Sequence, residues 1–75
     1  MSQDDKLVMM GNQIGRFFAA QGEARAVPAI ADHLRKFWTP RMRAAIIAHA
    51  AAGGAGLDAL PLSAVRTLAA AAAPV

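Results

Sequence analysis

Residues 33–43 read His-Leu-Arg-Lys-Phe-Trp-Thr-Pro-Arg-Met-Arg, and this stretch decides the fold because it contains a junction between two helices. Proline restricts the residue before it to extended backbone conformations, so Thr39 is not expected to be helical. Threonine as the capping residue with proline at the first helical position is a typical helix start. One helix therefore ends near Phe37, and the next begins at Pro40.

Working outward from this junction, the chain predicts helices over residues 3–20, 28–37 and 40–52 and a fourth helix after Asp58. Ser2 is expected to cap the first helix, residues 22–26 form a connector, and Gly53-Gly54 stops the third helix. No strand pattern is present. The predicted fold class is all-α: a small bundle of three to four short helices with tight turns marked by Pro and Gly. Residues 1–75 form one domain, and the Ala-rich tail (69–75) is expected to fray.

Apolar residues at three- and four-residue spacing predict the buried face of each helix. The expected core positions are, in chain order, Leu7, Met10, Ile14, Phe17, Val27, Ile30, Leu34, Phe37, Met42, Ile46, His49, Leu62, Val65 and Leu68. Gly11 and Gly15 lie inside the first helix, where each glycine costs about 1 kcal/mol relative to alanine. Close approach of another backbone is the expected reason for both.

The composition limits what this bundle can hold together by itself. Hydrophobic residues make up 56% of the chain, but 20 of them are alanines, which form helices well and bury little apolar surface. Domains of this size usually need a disulfide, a metal or a partner. The chain has no cysteine, which excludes disulfides, thiolate zinc sites and iron–sulfur clusters. A partner protein is the stabilising element that remains.

Charge and hydropathy add weaker expectations. The formal net charge of +3 permits nucleic acid binding without arguing for it. The N-terminus lacks the basic-then-apolar order of a signal peptide. The longest stretch without acidic residues, lysine or arginine, residues 44–57, is too short to span a bilayer. A cytoplasmic location is therefore expected, with no membrane partner.

Residues that could carry catalysis are sparse and scattered. Most of the five acidic residues lie at helix starts, where capping explains them, and Ser2 and Ser63 lack a nucleophile motif. His33 and His49 lie on different helices without a third ligand. His49 is expected to be half-buried, with one ring nitrogen bonded to a backbone carbonyl, and His33 to make a surface polar contact. No catalytic, cofactor-binding or metal-binding residue is predicted, and the chain is not expected to be an enzyme.

The α-helical junction is the most informative site for binding. Arg41 and Arg43 fall in the first turn of a helix, where each cation faces the positive end of the dipole at a cost of about 0.3–1 kcal/mol. An acidic partner surface would compensate, and Trp and Arg are enriched at binding hot spots. The predicted partner-binding residues are Arg35, Lys36, Phe37, Trp38, Pro40, Arg41 and Arg43. The alternative is a purely structural corner, with Trp38 in the core and the arginines solvated.

Nucleic acid is a rival partner for the same segment. After Arg43, however, the third helix continues as Ala-Ala-Ile-Ile-Ala-His-Ala-Ala-Ala, which offers no Asn, Gln, Ser or Arg to read base edges. We therefore predict that the chain does not bind nucleic acid. A free-standing basic nucleic-acid-binding or regulatory protein stays the alternative.

Three strings carry a resemblance to a known family: HLRKFWTPRMRAAI (33–46), KLVMMGNQIGRFF (6–18) and AAGGAGLDAL (51–60). Together they resemble the delta subunit of soluble, NAD-dependent, molybdenum-containing formate dehydrogenases over about residues 6–60. Thr39 departs from the family pattern, which has Asp there. Both residues are suitable helix caps, so the local structure is expected to be the same.

The resemblance implies a non-catalytic accessory subunit without a redox centre. In that family the alpha subunit carries bis-molybdopterin guanine dinucleotide and iron–sulfur clusters, the beta subunit binds FMN and NAD, and the gamma subunit carries another cluster. The chain is then expected to dock onto the alpha subunit and to stabilise or help assemble the complex. A transient maturation factor, absent from the finished enzyme, is a further possibility.

Overall fold

The computed structural model describes residues 2–72, which form four helices connected by short turns. The helices are α1 (Gln3–Ala19), α2 (Glu23–Phe37), α3 (Pro40–Ala51) and α4 (Ala59–Ala72). No strand occurs in this range, so the predicted all-α bundle is confirmed. None of these helices combines the length and the apolar character that a bilayer span requires.

The helix starts follow the local capping signals. The Ser2 hydroxyl accepts a hydrogen bond from the Asp5 backbone N–H at 3.1 Å, and the Asp5 carboxylate accepts one from the Ser2 backbone N–H at 3.3 Å. This reciprocal pair satisfies two backbone donors that a helix start otherwise leaves free. At the junction, the Thr39 hydroxyl accepts from the Met42 backbone N–H at 3.2 Å, and Pro40 is the first residue of α3. Both predicted caps are confirmed.

The start of α2 was placed too late by the sequence pattern. The connector predicted at residues 22–26 is wrong, because α2 begins at Glu23 and Pro28 lies inside it. Gly22, with a φ of 85°, turns the chain and its carbonyl accepts the first bonds of the helix. Ala26 is fully buried, so the early turn of α2 is anchored in the core. The Pro28 side chain is exposed, and its missing N–H removes one helical hydrogen bond.

The buried face of α1 differs from the predicted stripe. Leu7, Gly11 and Gly15 are buried, whereas Met10 and Phe17 are 39% and 77% exposed. The two expected core positions Met10 and Phe17 are therefore wrong. The physical reason is that the glycines, which a hydrophobicity pattern ignores, form the closest contact face and rotate the larger side chains toward solvent.

The two glycines of α1, Gly11 and Gly15, contact the side chains of Leu57 and Pro61. A methyl group on Gly15 would lie 2.8 Å from Cδ of Pro61, and one on Gly11 would lie 3.5 Å from Leu57 Cδ2. The predicted close approach of another backbone is wrong for both glycines. The Pro61 side chain closely approaches Gly15, and Gly11 makes an ordinary van der Waals contact with Leu57. Pro61 is buried in the first turn of α4, which confirms that this proline is tolerated there.

A glycine-rich turn joins α3 to α4. Gly53, Gly54 and Gly56 have φ values of 120°, 67° and 84°, in the left-handed region that favours glycine. Asn12 on α1 holds this turn with two hydrogen bonds: its amide donates to the Gly56 carbonyl at 2.9 Å, and its side-chain oxygen accepts from the Asp58 N–H at 2.8 Å. Gly53-Gly54 is thereby confirmed as the stop of α3.

The core is built from small and medium side chains. It contains Leu7, Ala26, Ile30, Ala31, Leu34, Trp38, Ile46, Ala50, Ala64, Val65 and Leu68. The most extensive helix contact is between α2 and α4, and each of these helices has one fully buried alanine, Ala26 and Ala64 respectively. Buried alanines thus make up part of the core in place of bulky residues. The expected need for a stabilising partner stays a prediction.

The alanine-rich tail is helical as far as it can be followed. α4 continues through Ala72, and residues 73–75 lie outside the described range. The predicted fraying of residues 69–75 stays a prediction.

Candidate functional site

The α2–α3 corner (residues 35–43) contains all seven predicted partner-binding residues. α2 ends where Trp38 adopts an extended backbone, with φ −89° and ψ 144°, and Thr39 is extended as well. Two successive extended residues redirect the chain before Pro40. The corner is therefore a fixed local structure, and its side chains separate into a buried group and an exposed group.

Trp38 belongs to the buried group. Only 5% of it is exposed, because the chain leaves helical geometry at this residue and the indole turns into the core. Phe37, which the helical spacing placed in the core, remains on the edge of α2 and is 72% exposed. The core prediction for Phe37 is wrong, and Trp38 is a core residue in this structure rather than a surface anchor.

Arg43 is satisfied within the chain. Its guanidinium donates hydrogen bonds to the backbone carbonyls of Trp38 and, at 3.1 Å, Arg35. These carbonyls lie at the C-terminal end of α2, where the helix dipole is negative and the last carbonyls lack intrahelical partners. The end of α2 therefore compensates this cation within the chain, and the predicted contact of Arg43 with an acidic partner stays a prediction.

Arg35 and Lys36 are exposed and share one carboxylate. Arg35 Nη2 and Lys36 Nζ each lie 3.0 Å from an oxygen of Asp32, one turn earlier on α2. Hydrogen bonds from Lys36 and then Arg35 lower the pKa of Asp32 below its usual value of 3.8. Two cations facing one carboxylate leave a positive surface at the end of α2.

Pro40 and Arg41 complete the exposed group, together with Phe37. Among residues 2–72, no carboxylate lies within ion-pairing distance of the Arg41 guanidinium. Arg41 follows Pro40 in the first turn of α3, where the helix dipole disfavours a cation. Of the two arginines with this unfavourable placement, Arg41 alone remains without the helix-end contact that Arg43 makes.

An aromatic row, formed by Phe17, Phe18, His33 and Phe37, extends from this corner across α2 to α1. The Phe37 and His33 rings have centroids 4.8 Å apart, His33 and Phe18 are 6.2 Å apart, and Phe18 and Phe17 meet edge-on at 5.0 Å. His33 therefore lies between aromatic rings, and its predicted surface polar contact is wrong.

The aromatic row borders a cavity that the sequence pattern missed. The aromatic cleft has a volume of about 320 Å³ and is lined by Gln13, Ile14, Phe17, Phe18 and His33. The adjacent pair Phe17-Phe18 was the signal that could have indicated it, since two consecutive aromatics on one helix cannot both face the core. Phe18 is half-buried, and Phe17 projects from the rim.

His49, on α3, makes a structural contact. Its Nε2 donates to the Ala55 carbonyl at 2.7 Å, and its Nδ1 lies 4.0 Å from the Asp4 carboxylate. The prediction of a half-buried histidine bonded to a backbone carbonyl is confirmed. Across residues 2–72, no three side chains of His, Asp or Glu converge in the way that a metal ion requires.

The geometry thus brings together exposed cations, an exposed phenylalanine and an apolar cleft along one edge of α2. The sequence model of the NADH-dependent formate dehydrogenase delta subunit, FdsD, matches residues 6–65. The chain belongs to this family. The matched range contains the whole α2–α3 corner, both sides of the aromatic cleft and the glycine-rich turn.

Membership in the FdsD family confirms the resemblance drawn from the three sequence strings. It makes the chain a delta subunit of a formate dehydrogenase, so the proteins of that enzyme are its partners. No curated protein and no solved structure matched the chain.

Proposed function

We propose that this chain is a non-catalytic accessory subunit that docks onto the catalytic alpha subunit of formate dehydrogenase. Its role is to stabilise or help assemble a cytoplasmic complex that also contains the beta and gamma subunits. The cofactors of formate oxidation, bis-molybdopterin guanine dinucleotide, iron–sulfur clusters, FMN and NAD, are held by those other subunits. This chain holds none of them.

The observation that carries the proposal is the exposure of Phe37 among cations. A phenylalanine that is 72% exposed, within two residues of Arg35 and Lys36 and four of Arg41, has the composition of a binding hot spot. Isolated surface apolar residues are common, but here the exposed ring continues into an apolar cleft. The family match supports an enzyme subunit as the partner.

The chemistry of the chain supports a role without catalysis. The sequence has no cysteine to bind an iron–sulfur cluster, and the two histidines are engaged by aromatic rings and by a backbone carbonyl. Asp32, one turn before the corner on α2, makes two ion pairs. General acid–base catalysis needs two titratable groups placed against each other in a cleft, and these three residues are engaged in other contacts.

Co-purification tests the proposal. The tagged chain, expressed with the alpha, beta and gamma subunits, is expected to retain an assembly that contains flavin and molybdenum and oxidises formate. The double variant Phe37→Asp/Arg41→Glu is expected to lose this assembly. Arg66→Glu is the control, because Arg66 is an exposed cation on α4 outside residues 35–43.

Two results would contradict the proposal. Retention of nucleic acid through a moderate-salt wash, without any enzyme subunit, would favour a nucleic-acid-binding protein. An active complex that contains this chain only in substoichiometric amounts would show that the chain is a transient maturation factor.

A further inference from the structure

We propose that the aromatic cleft receives one bulky apolar side chain of the formate dehydrogenase partner, carried on a segment whose carboxylates meet the cations of the α2–α3 corner. The inference rests on the proposed function and deepens it by naming the chemistry of the partner segment. It also extends the docking surface from α2 to α1.

The cleft has the composition of a receptor for an apolar group. Three of its five lining residues are Ile14, Phe17 and Phe18, and its polar members, Gln13 and His33, stand on opposite helices. The His33 ring lies against the Phe37 ring, with centroids 4.8 Å apart and an angle of 41° between the ring planes. An apolar side chain entering the cleft would replace water on every aromatic ring that lines it.

The cleft and the corner form one continuous surface. The aromatic row connects them through ring contacts of 5.0, 6.2 and 4.8 Å, and the His33 imidazole is the one polar ring in the row. Both ends of the row are highly exposed, Phe17 at 77% and Phe37 at 72%. A single partner segment that crosses α2 can therefore contact the whole row, with the aromatic anchors central and the cations at the rim.

Charge complementarity selects the occupant. The corner presents Arg35, Lys36 and Arg41, and the Asp32 carboxylate is already shared by Arg35 and Lys36. A second copy of this chain would bring the same three cations against each other in a symmetric interface. An enzyme segment with one or two carboxylates next to a Leu, Met or Phe satisfies both the cations and the cleft.

Filling the cleft distinguishes a receptor cavity from a surface that is simply apolar. Gln13→Trp places a large ring at the rim of the cleft without touching the buried face of α1. If the surface binds the partner only through nonspecific apolar contact, the added tryptophan increases the apolar area and the variant binds at least as well as wild type. If the cleft must receive a partner side chain, the tryptophan blocks it and binding is lost. Met9→Trp is the matched control, because Met9 is an exposed α1 residue that does not line the cleft.

The experiment is a competition for incorporation into the complex. Wild-type and variant chains with different tags are co-expressed with the alpha, beta and gamma subunits, and their ratio is measured in the purified enzyme. We expect Gln13→Trp and Phe17→Asp to be incorporated at least tenfold less than wild type, and Met9→Trp and Met9→Asp to match it.

If Gln13→Trp and Phe17→Asp are incorporated as well as wild type, and wild type is present in the complex, the inference is overturned. Absence of the wild-type chain from the complex would instead overturn the proposed function. The two failures are therefore distinguishable in the same preparation. Incorporation of Gln13→Trp above wild type would identify a nonspecific apolar contact and would also overturn the cleft as a receptor.

Discussion

The guanidinium of Arg43 donates a hydrogen bond to the backbone carbonyl of Trp38. A cation in the first turn of α3 thereby caps the C-terminal end of α2. The same guanidinium reaches the Arg35 carbonyl at 3.1 Å. The contact fixes the turn that exposes Phe37 and buries Trp38. Arg43 is therefore a structural residue of the corner, whereas Arg41 is available to a partner.

We predict opposite effects on stability for the two arginines. Arg43→Met removes charge-assisted hydrogen bonds to two carbonyls and is expected to lower the free energy of unfolding by about 1–3 kcal/mol. Arg41→Met removes a cation from the positive end of α3 and is expected to raise it by about 0.3–1 kcal/mol. Urea denaturation of the full chain measures both values. Equal effects of the two variants would contradict the assignment.

A second pair of variants tests the close packing of α1. Gly15→Ala places a methyl group 2.8 Å from the rigid ring of Pro61, so we expect a loss of about 1–3 kcal/mol despite the better helix propensity of alanine. Gly11→Ala meets Leu57 at an ordinary contact distance of 3.5 Å and is expected to gain up to about 1 kcal/mol. Thermal unfolding should separate the two, and a Gly15→Ala chain more stable than wild type would refute the packing.

Asn12 is predicted to hold the glycine-rich turn. Asn12→Ala removes two hydrogen bonds to the backbone of Gly56 and Asp58, and we expect a loss of about 1–3 kcal/mol. Hydrogen exchange at the amide of Asp58 should accelerate, because its acceptor is gone. Gln13→Ala is the control, since this neighbouring side chain is exposed. Unchanged exchange at Asp58 in Asn12→Ala would show that the turn holds itself.

The pKa of Asp32 gives a prediction about pH. Hydrogen bonds from Lys36 and Arg35 lower the pKa of Asp32 in the folded chain below 3.8, so its ion pairs stabilise the fold above that pH. This stabilisation is lost as the pH falls through the folded pKa. NMR titration of the carboxyl group should give a midpoint below 3.8 that rises with added salt, because the pairs are exposed. A midpoint at or above 3.8 in low salt would disprove the pairing.

Local signals in the sequence predicted most of the helix boundaries. Ser2 and Thr39-Pro40 determined two helix starts, and Gly53-Gly54 determined a stop, because each acts through backbone groups of its immediate neighbours. The predicted start of α2 was wrong for a related reason. Pro28 has the features of a first-turn residue, but Gly22 provides an earlier turn and Ala26 is anchored in the core.

The candidate site was predictable only in part. The clustering of the cations and Phe37 is visible along the chain, and their role in partner binding stays a prediction. The exchange of roles between Phe37 and Trp38 was not predictable, because it depends on where the backbone leaves the helix. The aromatic cleft depends on contacts between Phe18 and His33, which lie on different helices, and no periodicity within one helix encodes such a pair.

Hydroxyl-radical footprinting of the assembled enzyme tests the central claim most directly. If the chain docks through the edge of α2 and the adjoining cleft, Phe17 and Phe37 become protected from oxidation in the complex, while Met9 on the same chain is modified as in the free subunit. Equal oxidation of both phenylalanines in the free chain and in the complex would contradict docking through this surface.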